Sequence, residues 1–142
     1  MITFEELEKF ARSLESPVAN EVKQRCAISR AYYAAFHRCN LAADKWCGVL
    51  TADEEKNKGE HEKLYTRLQD HSKLISLDVE LRVLAEEAKK LRTLRTTADY
   101  HLDKDITAKD VTRSFHHMGT VKNSFEKLDE IAKVATNPPP AP

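Results

Sequence analysis

From Pro17 to Pro138 the chain carries no proline, and its only glycines are Gly48, Gly59 and Gly119. A small β protein needs a turn every few residues, and turns draw on Gly and Pro. So little backbone punctuation therefore favours a few long helices. The apolar spacing agrees. Ile28, Tyr32, Ala35, Cys39 and Ala42 recur three or four positions apart, and Val22, Cys26, Ser29, Tyr33 and Phe36 form a neighbouring stripe. A helix apolar over so wide an arc belongs at the centre of a bundle. Leu77, Leu81, Leu84, Ala88, Leu91, Leu94 and Ala98 keep the same period, as do Val111, Phe115, Met118, Val121, Phe125, Leu128 and Ile131.

Helix starts are marked by caps. Thr3 with Glu6 has capping-box form and opens a first helix to about Leu14. Ser16-Pro17 reads as an N-cap followed by proline at the first helical position, opening a second helix to about Trp46 with Gly48 as its stop. The charged stretch from Thr51 to Gly59 reads as a solvated connection, with at most a short turn after Thr51. A third helix is expected over Glu60–His71, a fourth over Leu77–Asp99, and a last one opening at Thr107. The expected fold is all-α, an antiparallel bundle of four to five helices in one domain over residues 1–136. Residues 137–142 are expected to form a Pro-rich disordered tail.

With 23 basic and 23 acidic residues the formal net charge is zero, so a global basic field for coating nucleic acid is absent. A local basic pocket remains open. Met1 leads directly into an acidic amphipathic segment, and no apolar run approaches bilayer length, so the expectation is a cytoplasmic protein with no membrane association. Cys26, Cys39 and Cys47 form no CxxC pair, and the expectation is buried, reduced thiols. The six histidines show no metal-ligand spacing and Gly-rich phosphate loops are lacking, so no metal and no cofactor is implied.

Two stretches carry chemistry. The first is Ser29-Arg30-Ala31-Tyr32-Tyr33-Ala34-Ala35-Phe36-His37; by periodicity alone it is core packing with Arg30 and His37 at the edges. The second is Leu91-Arg92-Thr93-Leu94-Arg95-Thr96-Thr97-Ala98-Asp99-Tyr100-His101. By position alone its cations suit a helix C-terminus, and Arg95 and Asp99 are spaced to pair.

Together, and in this order, the two stretches resemble those of the HEPN (higher eukaryotes and prokaryotes nucleotide-binding) superfamily. There an SRAYYAAFH-like segment lies in an early long helix and an LRxxADY-like segment near the end of a later one. The resemblance spans Phe4 to about Ile131. Catalytic members carry an Arg followed a few residues later by His, and Arg95 and His101, with five residues between them, fit that pattern. Thr96 follows Arg95, where many active members carry Asn, Asp or His. The resemblance implies a metal-independent endoribonuclease acting on RNA as a homodimer, the toxin of a toxin–antitoxin or phage-defence system. Arg95 would neutralise the scissile phosphate and His101 would serve as general acid or base. Asp99, Tyr100, Thr96, Arg30 and His37 would support the site or line its groove. Members lacking the His suggest the alternative of a non-catalytic module that binds a nucleotide or RNA, or docks a partner such as an antitoxin or a nucleotidyltransferase. On an ideal helix six positions place Arg95 and His101 about 240° apart. Their convergence therefore needs the helix to end near Tyr100, or a second subunit to supply one of them.

Overall fold

The computed structural model describes residues 1–15, 20–137 and 140–141. Among these, six α-helices and one 3₁₀ turn pack together with no β-strand: α1 (Phe4–Ser13), α2 (Glu21–Trp46), α3 (Ala52–Asn57), α4 (Glu60–Asp70), the 3₁₀ turn (Ile75–Leu77), α5 (Asp78–Tyr100) and α6 (Ala108–Thr136). The count exceeds the expected four to five because the charged stretch after Thr51 is itself helical. Thr51 and Glu54 form a reciprocal capping box, and that local signal outweighs the high charge. No residue of α3 is buried. The expected cap at Ser16-Pro17 lies outside the described residues. The cap observed for α2 is Asn20, whose side chain accepts from the Lys23 amide.

α2 is the central element and packs against α1, α4, α5 and α6. Its Ile28, Tyr32, Ala35, Cys39 and Ala42 are all buried, as the spacing required. The neighbouring stripe is not core. Val22 is 70% exposed, Cys26 is exposed, and Tyr33 and Phe36 are half-buried against the core edge. The expectation of three buried thiols thus fails at Cys26. Burial holds the Cys39 and Cys47 thiols protonated, pushed up to about 12 and about 11. Leu81, Leu84, Leu91, Met118, Val121 and Leu128 fill the α5–α6 side of the core. No helix among the described residues is long and apolar enough to cross a membrane.

The carbonyls at the ends of both inner helices are capped by arginines from neighbouring helices. Arg67 of α4 donates to the Ala43 and Gly48 carbonyls and pairs with Asp44 at 2.9 Å. α2 stops at Trp46, one residue before Cys47, where the backbone turns to bridge Ser72. Arg25 of α2 does the same for α5. Its Nη1 donates to the carbonyls of Thr97, Ala98 and His101, and its Nη2 to Glu21 and the Lys104 carbonyl. A guanidinium there adds a side-chain donor to carbonyls at the helix end, several of which also accept from a backbone amide, and balances the negative end of the helix dipole. Arg25→Ala should cost about 2 kcal/mol. In amide hydrogen exchange it should speed residues 101–107 while leaving Leu84 and its neighbours slow. Uniform acceleration of both regions would show that the clamp is not local.

Candidate active site

The two sequence segments meet side by side, one on α2 and one on α5. Arg95 emerges from the last turns of α5 towards α2 and enters a cage of three tyrosines. Its guanidinium carbon lies 5.6 Å from the Tyr32 ring centroid, 5.4 Å from Tyr33 and 5.0 Å from Tyr100. Nη2 donates to Tyr33 Oη at 2.9 Å and Tyr100 Oη at 3.1 Å. Nε lies 2.8 Å from Asp99 Oδ2, an ion-pair contact without hydrogen-bond alignment. Burial opposes the Arg95 charge, but the oxygens of Tyr33, Asp99 and Tyr100 outweigh it and hold the guanidinium firmly protonated. Ser29 completes the cluster by donating to Asp99 Oδ2 at 3.2 Å. The Arg95 side chain is only 13% exposed. This is cation–π packing with a carboxylate behind it, an arrangement that orients a guanidinium rigidly.

His101 is the C-cap residue of α5, and its ring is exposed. The helix ends here as the expected geometry needed, and Arg25 fixes the His101 carbonyl from α2. Among the described residues, however, His101 makes no hydrogen bond to Arg95. His101 lines a separate groove of about 420 Å³ on the other flank of α5, with Lys89, Arg92, Thr93, Thr96 and Thr97, walled by the buried Tyr65. Thr96 is thus placed with His101. Asp99 and Tyr100 are placed with Arg95. Arg30 is exposed on α2. His37 belongs to neither place: it lines a groove beside α1 with Ile2, Phe4 and Leu7.

In the sequence Arg92 reads only as a cation suited to a helix C-terminus, and Arg25 and Tyr65 carry no signal. The spacing of Lys89, Arg92, Thr96 and Thr97 along one helix face was legible, but the contribution of Tyr65 from α4 and the reach of Arg25 across to α5 are tertiary facts. A scan against protein-family models finds no match to this chain, and comparisons with curated proteins and with solved structures find none either.

Beneath the cage, Tyr32 Oη and His61 Nδ1 share a hydrogen bond across 2.6 Å, and the His61 ring packs edge-on to Phe36. Burial lowers the His61 pKa, helped by the charges of Arg92 and Arg95. The folded protein therefore keeps this imidazole neutral where the unfolded chain, with an ordinary value of about 6.5, begins to take a proton. Stability from His61 is complete above that value and is lost as pH falls through it towards the lower folded value. Thermal melts should show wild type losing more stability than His61→Gln between pH 7.5 and 5.5. Parallel losses would remove His61 as the cause.

Proposed function

We propose that this chain is a HEPN-type RNA-cutting domain that works as a homodimer without a metal. The observation that carries the reading is the polar cluster itself. Ser29 and Tyr33 of the first segment bond directly to Asp99 and Arg95 of the second. The pieces on which the resemblance rests thus build one surface feature. Beside it runs a flank left open by the described residues: Val22, Cys26 and Arg30 are exposed along α2, and Tyr100 and Leu102 are 65% and 77% exposed at the end of α5. A self-complementary contact across that flank supplies a two-fold axis close to Arg95. Arg95 of one subunit then serves the phosphate, and His101 of the other moves the proton. The ribose 2′-hydroxyl loses its proton and attacks the phosphorus, the bond to the 5′-oxygen breaks and that oxygen takes a proton, which confines the substrate to RNA and leaves a cyclic phosphate and a 5′-hydroxyl. The cellular setting that goes with this reading is a toxin, with an antitoxin or nucleotidyltransferase as its partner.

A second reading is favoured by one specific observation. Within a single chain Arg95 is already engaged by Tyr33, Tyr100 and Asp99, and His101 faces another groove. A binding module without catalysis has no need to bring them together. RNA cleavage in EDTA separates the two. Wild type should cut, and Arg95→Ala and His101→Ala, folded by circular dichroism, should not. No cleavage across varied RNAs, or equal cleavage by all three proteins, would select the binding module.

A further inference from the structure

We propose that the groove around His101 is a phosphodiester-binding subsite for an RNA strand, with Arg92 as its principal ligand; this rests on the reading of the protein as one that engages RNA. Arg95 is largely enclosed and committed to three neighbours. Arg92, three residues earlier, is the opposite case. It lines the groove that holds His101, and among the described residues it makes no ion pair and no hydrogen bond. An unpaired guanidinium in a part-buried wall offers a planar fork of donors that matches phosphate oxygens.

The rest of the groove suits the same ligand. No carboxylate lines it. Lys89 adds a second cation, its Nζ 5.8 Å from the Tyr65 ring centroid and tethered only by a surface contact to Glu86 at 3.1 Å. Thr93 and Thr97 spend their hydroxyl protons on backbone carbonyls one turn back, whereas the Thr96 hydroxyl makes no such bond and is available to donate. The volume, about 420 Å³, falls in the range of small-ligand clefts and accommodates a nucleotide unit. The negative end of the α5 dipole points at this region and on its own repels an anion. Arg25 removes that objection, because its guanidinium already covers the carbonyls of Thr97, Ala98 and His101. Arg92 thus holds a phosphate on the same side of α5 as the imidazole, a task Arg95 of the same chain does not perform.

The test is fluorescence anisotropy with a labelled 2′-O-methyl oligoribonucleotide, whose blocked 2′-oxygen prevents cleavage, titrated at several salt concentrations. Arg92→Ala should weaken binding about tenfold and lower the slope of log affinity against log salt by about 0.7, the loss of one phosphate contact on a single strand. Arg92→Lys should recover part of the affinity. Arg82→Ala removes the same charge from an exposed position on the same helix and should leave affinity and slope near wild type. Arg92→Gln keeps most of the side chain's length and is read in parallel, so a folding failure of the alanine chain does not remove the test. Binding that weakens equally in the Arg92 and Arg82 variants, or not at all, overturns the assignment of Arg92 while leaving the RNA reading intact. Failure of wild type to bind the oligonucleotide overturns both.

Discussion

Glu8→Ala should lower the stability of the fold by about 3–5 kcal/mol, the range expected when a buried charge loses its partner. Glu8 and Arg38 are 8% and 4% exposed. Arg38 Nη2 donates to Glu8 Oε1 at 2.9 Å, and the Arg38 guanidinium is sandwiched by Phe4 at 5.0 Å and Phe125 at 5.4 Å. This pair ties α1 and α6 to the middle of α2, and α1 otherwise buries only Ala11 completely. Arg38 Nε already has no hydrogen-bond partner. Removing the carboxylate leaves the charge with only Glu5, 3.5 Å away and 66% exposed, which is a weak substitute in water. Urea unfolding should show the loss at unchanged slope. The double variant Glu8→Leu/Arg38→Met should recover most of it, because an apolar pair of similar volume avoids the desolvation cost. A Glu8→Ala loss below about 1 kcal/mol would place the pair with ordinary surface bridges.

That pair also marks where sequence reading stops. Glu8 and Arg38 both sit in amphipathic helices, but nothing in their local pattern distinguishes them from surface charges. Their burial depends on Phe125 arriving from α6, 87 positions beyond Arg38. Helix identity was legible because it is local: the inner stripe of α2, the period of α5 and the Thr107–Asp110 box all stand where the spacing put them. The outer stripe of α2 departs from the core for the same reason. A three–four period reports an apolar face but not whether the same chain covers it, and among the described residues Val22 and Cys26 are exposed. At the site, the Arg95–Asp99 spacing was readable, whereas the tyrosine cage requires Tyr33 to meet Arg95 across 62 positions. The groove of His101 likewise needs Tyr65 from α4.

Mixing two inactive proteins should restore RNA cleavage. Under the proposed dimer each site takes Arg95 from one subunit and His101 from the other. Each single substitution alone then disables both sites, with a loss of about 10²–10⁴-fold expected for removing the imidazole acid–base group. In a heterodimer of Arg95→Ala with His101→Ala, one site carries both defects and the other carries neither. Random reassortment makes half the dimers mixed, each with one of two sites intact, so about a quarter of wild-type activity should return. The separation of the two groups within one chain motivates this arithmetic: Arg95 is caged against Tyr33, and His101 lines the Lys89–Thr97 groove on the other flank of α5. Light scattering on the same mixture should give twice the 16.2 kDa chain mass. Dimers that do not regain activity on mixing would mean that Arg95 and His101 act within one subunit, through a rearrangement that frees Arg95 from Tyr33 and Tyr100. A monomer would leave the uncovered flank of α2 without the occupant proposed for it. In that case the Arg92 groove would be the better account of how this protein meets RNA.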